Sequence, residues 1–119
     1  VATILVVDDE PDLRFLMRRI FTRAGHQVVE AGNGAAALDA VRQARPDLVV
    51  TDVMMPVMDG VELIRRLRAD PATMTIPILS VSSDWHLAVH ADAALAKPYE
   101  RAQLVAAAER LLSEGRDGR

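Results

Sequence analysis

Two adjacent carboxylates, Asp8 and Asp9, directly follow the apolar run Ile4-Leu5-Val6-Val7, and a third, Asp52, follows Leu48-Val49-Val50-Thr51. Ser82 closes a third run, Ile78-Leu79-Ser80-Val81, and Lys97 closes a fourth, Ala93-Ala94-Leu95-Ala96. If these runs are parallel strands of one sheet, their C-terminal ends lie side by side, at the edge where open α/β folds bind ligands. Three carboxylates gathered there repel one another, so at least one must hold its proton more tightly unless a cation neutralises them. An all-oxygen set with few protein ligands favours Mg²⁺ or Mn²⁺, completed by water and phosphate oxygens. Lys97 is the only lysine among 14 basic residues, and its compact, movable ammonium suits a phosphoryl oxygen. The Ser82 hydroxyl can donate to the same group. The competing reading is that Asp and Ser at strand ends are turn formers and helix caps. Acidic sites on two apolar strands in this order argue for a binding site.

Elements that could position these groups are legible from apolar spacing. Residues 3–7 read as a strand buried on both faces. Pro11 suits a first helical turn, and Leu13, Leu16, Met17, Ile20, Phe21 and Ala24 form one inward stripe over 11–24, stopped by Gly25. A second strand spans Gln27–Ala31. Asn33 caps a helix through Ala44 that Arg45-Pro46 ends. A third strand covers Asp47–Thr51. Asp59 caps a helix carrying Leu63, Ile64 and Leu67, ended by Asp70-Pro71. Strands follow at 77–81 and 93–96. Pro98 and Glu100 then open a last helix with Leu104, Ala108, Leu111 and Leu112 inward, and Ser113–Arg119 reads as a frayed polar tail. The domain is therefore set at 1–113, with 114–119 as a flexible tail. Strand and helix alternate with short connections, which predicts an α/β, doubly wound, five-stranded parallel sheet with right-handed crossovers.

Composition narrows the function classes. A chain of 119 residues is one domain with room for a core, and its 50% hydrophobic content is ordinary for a globular protein. A net charge of −3 argues against direct nucleic-acid binding through a basic surface. Without cysteine there is neither disulfide nor thiol chemistry. No apolar run reaches the roughly 18 residues of a membrane span and none reads as a signal peptide, so a cytoplasmic location without membrane insertion is expected. The chain opens at Val1 without Met, which fits a processed protein or a segment of a longer one.

Taken together, V-V-D-D-E at 6–10, D-x-M-M-P-x-M-D-G at 52–60, I-P-I-L-x-V-S at 76–82 and K-P-Y at 97–99 resemble the receiver domains of two-component response regulators, of the chemotaxis-regulator type. Any one pattern is short; the four in order are specific and cover nearly the whole chain. The resemblance implies a flavodoxin-like sheet of order 2-1-3-4-5. It implies Asp52 as the residue that becomes an aspartyl phosphate, in a Mg²⁺-dependent reaction. Asp8, Asp9, Asp52 and the backbone carbonyl of Met54 would hold the metal, with Ser82 and Lys97 recognising the phosphoryl group. Met54 and Asp84 fall where the family tunes hydrolysis. Leu13, Phe15, Pro98 and Tyr99 are candidates for docking a sensor histidine kinase or histidine phosphotransfer protein. The output would pass to a downstream protein or an attached output domain. No separate substrate, and so no conventional enzyme activity, is expected.

Two departures from the family pattern stand out. Ala94 fills the position, three before the lysine, that usually carries an aromatic switch residue. Only fourteen residues separate Ser82 from Lys97, about two helical turns fewer than usual, so the fourth helix is expected to be shortened or missing. Segment 83–92 contains Trp85, which reads either as a partner anchor or as cover for core left open. His86 and His90 have a helical metal spacing but lack a third ligand. Met54, Met55 and Met58 read as loop packing, and Arg65, Arg66 and Arg68 as a solvated helix face. The alternatives are a pseudo-receiver that binds partners independently of phosphate, and a Mg²⁺-dependent phosphatase. The phosphatase lacks its usual second Asp, since Met54 stands two residues after Asp52. A flavin binder is disfavoured by the low aromatic content and the lack of a Gly-rich phosphate loop.

Overall fold

The apolar runs are strands because β-branched and aliphatic side chains pack on a pleated surface with both faces covered. In the computed structural model, which describes residues 2–53, 58–82 and 91–114, they form β1 (Thr3–Val7), β2 (Gln27–Ala31), β3 (Leu48–Asp52), β4 (Ile78–Ser82) and β5 (Ala93–Ala96). The helices among the described residues are α1 (Pro11–Arg23), α2 (Gly34–Ala44), α3 (Gly60–Ala69) and α4 (Arg101–Glu114). All strand pairs are parallel, and the sheet runs β2-β1-β3-β4-β5. This is the expected doubly wound, flavodoxin-like order.

The period-two alternation along each strand sorts the core into two layers. Ile4 and Val6 of β1, with Leu48 and Val50 of β3, face Met17, Ile20 and Phe21 of α1 and Leu104, Ala108 and Leu111 of α4. Leu5, Val7 and Val49 face Ala37 and Val41 of α2 and Leu63, Ile64 and Leu67 of α3. Each fully buried large side chain in these layers stabilises the fold by about 1.5–3 kcal/mol. Local signals set the helix starts: the Asn33 side chain accepts from the Ala36 N–H at 2.8 Å, and Asp59 accepts from the Glu62 N–H at 2.9 Å. Gly25, at φ 96°, turns the chain out of α1. Among the described residues no helix is long and apolar enough to cross a membrane.

Some expectations need correction. Leu13 and Leu16 do not belong to the buried stripe of α1; they are 38% and 49% exposed, and Ala24 is exposed as well. Leu13 lies in the first turn of α1 and Ala24 is its C-cap, so both stand at the ends of the helix. Leu16 is rotated about 100° from Met17, onto the helix flank. Arg68 is not part of a solvated face. Arg65 and Arg66 pair with Glu62 in the open, whereas the Arg68 side chain is only 13% exposed and bonded to Asp92. The last helix begins at Arg101 rather than Pro98, and it continues through Ser113 and Glu114, which the polar composition assigns to the tail. Met54, Met55, Asp84, Trp85, His86, His90 and the expected stub of a fourth helix lie outside the described residues, as does the tail from 115 onward.

Candidate functional site

Register brings the chemical residues together. Val7 pairs with Thr51, so Asp8 and Asp52 leave neighbouring strands at the same level. Asp52 pairs with Val81, and Ser82 with Ala96, which places Ser82 and Lys97 one and two strands further along the same edge. One carboxylate oxygen from each of Asp8, Asp9 and Asp52 lies within 4.8 Å of the others. The Lys97 Nζ donates to Asp52 Oδ2 at 3.3 Å. Asp8 and Asp52 are 1% and 7% exposed, Ser82 is 2% exposed, and Asp9 is the member open to solvent.

Burial has an electrostatic consequence. It pushes the Asp8 carboxyl above its ordinary range, and the charges of Asp52 and Asp9 push it further; the Glu10 N–H, donated at 2.9 Å, and Lys97 oppose the shift. One ammonium thus faces three carboxylates, two of them buried. The donor set is all oxygen, compact and anionic, which fits a hard divalent cation and leaves part of its coordination sphere open. The Tyr99 phenol is also pushed up, by burial first and then by Asp8 and Asp52.

The backbone around the cluster is fixed by groups that sequence reasoning missed. Arg14 donates through Nη1 to the Asp8 carbonyl at 2.7 Å and through Nε to Glu30 Oε1 at 3.1 Å, and Arg18 donates to the other Glu30 oxygen at 3.1 Å. The signal was available: Arg14 stands three residues before Met17 and seven before Phe21, a charged residue on the buried bearing of α1. Gly60 is required by close approach. Its N–H donates to the Val53 carbonyl at 2.8 Å, and a Cβ built there would overlap the Asp52 carbonyl oxygen and come within 2.7 Å of Val53 Cα. A Cβ at Gly34 would come within 2.6 Å of the Met58 carbonyl oxygen, so α2 and the β3–α3 connection also meet through a glycine.

The remaining candidates scatter around this centre. The Lys97 N–H donates to the Ser82 carbonyl at 3.1 Å, and the Lys97-Pro98 bond is cis. Pro98 is exposed, and Tyr99 is half-buried against the layer under α1 and α4. Ala94 is exposed at the sheet edge. Phe15 is 55% exposed, with the Arg19 guanidinium 5.9 Å from its ring centre. Met58 is partly buried against the α2–α3 layer, as loop packing requires.

Comparison with known proteins agrees with this geometry. The family described as the response regulator receiver domain matches residues 4–109. Sporulation initiation phosphotransferase F of Bacillus subtilis (strain 168) is 39% identical over 77 residues, covering 65% of this chain and 62% of that protein. The DNA-binding response regulator MtrA of Mycolicibacterium smegmatis is 37% identical over 119 residues, covering 96% of this chain and 52% of that protein. The chain thus spans little more than half the length of these relatives. The crystal structure of the chemotaxis response regulator CheY4 of Vibrio cholerae superposes with a TM-score of 0.87 at 30% identity, covering 93% of this chain and 98% of that one. With the family match across nearly its whole length, the parallel 2-1-3-4-5 sheet and the acidic cluster facing a lysine, this chain belongs to the response regulator receiver domains of two-component signalling.

Proposed function

We propose that Asp52 accepts a phosphoryl group from a histidine kinase or histidine phosphotransfer protein, and that the resulting aspartyl phosphate changes which partners the domain binds. The observation that carries this reading is the Lys97 ammonium 3.3 Å from the Asp52 carboxylate, opposite Asp8 and Asp9. Asp8, Asp9 and Asp52 would hold Mg²⁺, with Mn²⁺ as a substitute and the Met54 carbonyl as a further ligand. When bound, the metal would offset the charge of the carboxylates and of the incoming phosphoryl oxygens.

The chain's own residues do the rest. An Asp52 carboxylate oxygen attacks phosphorus, the phosphorus–nitrogen bond to the donor imidazole breaks, and the nitrogen leaves with the bonding pair and takes a proton. Lys97 then exchanges its contact with a carboxylate for one with a phosphoryl oxygen, and the Ser82 hydroxyl donates to another. Met54 and Asp84 are the positions from which hydrolysis of the acyl phosphate would be tuned. Leu13 and Phe15, with Pro98 and Tyr99 on the neighbouring loop, form the surface proposed to dock the donor. The output passes to a downstream protein or an attached domain.

The test uses a small donor, so that no cognate kinase is needed. Incubation with acetyl phosphate and Mg²⁺ should add one phosphoryl group by intact mass, and Asp52→Asn should abolish it. Equal incorporation by the variant would overturn the assignment. Turnover of small phosphate esters would instead support a phosphatase.

A further inference from the structure

Lys97 sits at the end of a strand with little to hold it. β5 has four residues at the edge of the sheet, and only Ala93 and Leu95 pack on the core, while Ala94 and Ala96 are exposed. Three alanines and one leucine bury little apolar surface. They also specify register poorly, because a two-residue slip keeps the same faces in and out. Such a slip would carry Lys97 about 6–7 Å along the strand, out of reach of Asp52. The register of β5 must therefore be set by groups outside its side-chain pattern.

Those groups stand at its entry. The Asp92 N–H donates to the Ile78 carbonyl at 2.9 Å, and Asp92 Oδ2 accepts from the Ile78 N–H at 2.7 Å and from Arg68 Nη2 at 2.5 Å. Arg68 Nη1 donates to the carbonyls of Met74 at 3.1 Å and Ile76 at 2.8 Å. Both side chains are mostly buried, at 13% and 14% exposure. One guanidinium thus ties the last turn of α3, the connection into β4 and the first step of β5 into a single unit, which a lysine, with its single ammonium, could not match in geometry.

We propose that the Arg68–Asp92 pair is a latch that sets the register of β5 and thereby positions Lys97 against Asp52. Arg68 and Asp92 are positioning residues for phosphoryl recognition, and the proposal rests on the function assigned to Asp52 and Lys97 above. Mg²⁺ is assigned to carboxylates at the ends of β1 and β3, so the latch governs the phosphoryl half of the site and its loss does not weaken the metal half.

The experiment compares wild type with Asp92→Ala, Asp92→Asn and Arg68→Lys in the full chain. Mg²⁺ affinity is measured alone, and affinity for beryllofluoride, a phosphoryl mimic, at saturating Mg²⁺. Asp92→Ala should lower beryllofluoride affinity about tenfold or more while Mg²⁺ affinity holds or rises; Asp92→Asn, which keeps an acceptor for the Ile78 N–H, should lose about threefold in beryllofluoride affinity. Arg68→Lys should fall between them. Unchanged beryllofluoride affinity, or an equal fall for both ligands, overturns the latch. If Asp92→Ala fails to fold, Asp92→Asn and Arg68→Lys carry the test. If wild type itself ignores beryllofluoride, the phosphoacceptor reading fails, and the latch is judged in the metal-free protein. There the Lys97 amide should exchange at least about tenfold faster in the latch variants, with Val50 faster by no more than the fall in global stability accounts for, and a Lys97 amide exchanging at the wild-type rate overturns it.

Discussion

Substituting Gly60 by alanine sets two well-characterised effects against each other. In a helix interior alanine is favoured over glycine by about 1 kcal/mol, and less at the first position of α3, where Gly60 lies. Against that gain, the added Cβ overlaps the Asp52 carbonyl oxygen and approaches Val53 Cα to 2.7 Å and the Asp52 carbonyl carbon to 3.1 Å. These are backbone atoms at the buried end of β3, which no rotamer change can clear. Relieving the overlap means moving α3 or the end of β3 by roughly 0.7 Å, and overpacking of that size costs about 1–3 kcal/mol. The net expectation is a loss of about 2 kcal/mol, or roughly 8 °C in melting temperature for a domain of this size. The strain falls on Asp52, so acyl-phosphate formation should slow by one to two orders of magnitude, as misplacement of a reacting group by something under ~1 Å does. Urea denaturation and the rate of phosphorylation by acetyl phosphate measure the two effects. A Gly60→Ala protein of wild-type stability and wild-type rate would refute the close-approach argument and leave helix propensity as the deciding factor. Gly34→Ala meets the Met58 side chain as well as its carbonyl, so part of its overlap can relax and about 1 kcal/mol is expected.

Other perturbations follow from the charges. Asp8 binds its proton more tightly in the folded state than its ordinary 3.8. The folded protein therefore keeps a proton that the unfolded chain has released, and metal-free stability should fall as pH rises from 3.8 through the raised value. Denaturation midpoints across that range should lose this slope in Asp8→Asn, and an unaltered slope would assign the titration elsewhere. Mg²⁺ affinity should run the other way, weakening as pH falls through the same window. Replacing Lys97 by methionine removes a cation that competes for the cluster, so calorimetric Mg²⁺ affinity should rise roughly tenfold, about 1.4 kcal/mol, while phosphorylation slows. Asp92→Ala leaves the mostly buried Arg68 guanidinium without its carboxylate and should cost about 3 kcal/mol in urea denaturation. Phe15→Ser should slow phosphotransfer from a protein donor and leave the acetyl phosphate rate unchanged; equal effects on both would remove Phe15 from the docking surface.

The strands and the site were legible because both depend on local patterns. A strand buried on both faces is a nearly continuous apolar run, and the polar residue that closes it stands at the sheet edge, as Asp8, Asp52 and Ser82 do, while the small polar Thr51 and Ser80 within the runs stay buried. Caps were legible for the same reason, as Asn33 and Asp59 each bond an N–H three residues on. Burial at helix ends was not. Leu13 has the bearing of Met17 yet is exposed, because spacing describes direction around a helix and not how far the sheet extends beneath it. Arg68 reads as solvated in the sequence because its partner, Asp92, is 24 residues away, and a long-range pair leaves no mark on either neighbourhood. Arg14 sits between these cases, since its place on the buried bearing was visible but its acceptor, the Asp8 carbonyl, was not.

The proposed acceptor of the phosphoryl group is Asp52, and trapping the aspartyl phosphate identifies the acceptor chemically. After incubation with acetyl phosphate and Mg²⁺, borohydride reduces an aspartyl phosphate to homoserine, which peptide mapping locates in the chain. Homoserine is expected at position 52 and nowhere else, with none formed when Mg²⁺ is chelated. Homoserine at position 8 or 9, or a phosphoryl group that resists borohydride, would rule out Asp52 as the acceptor.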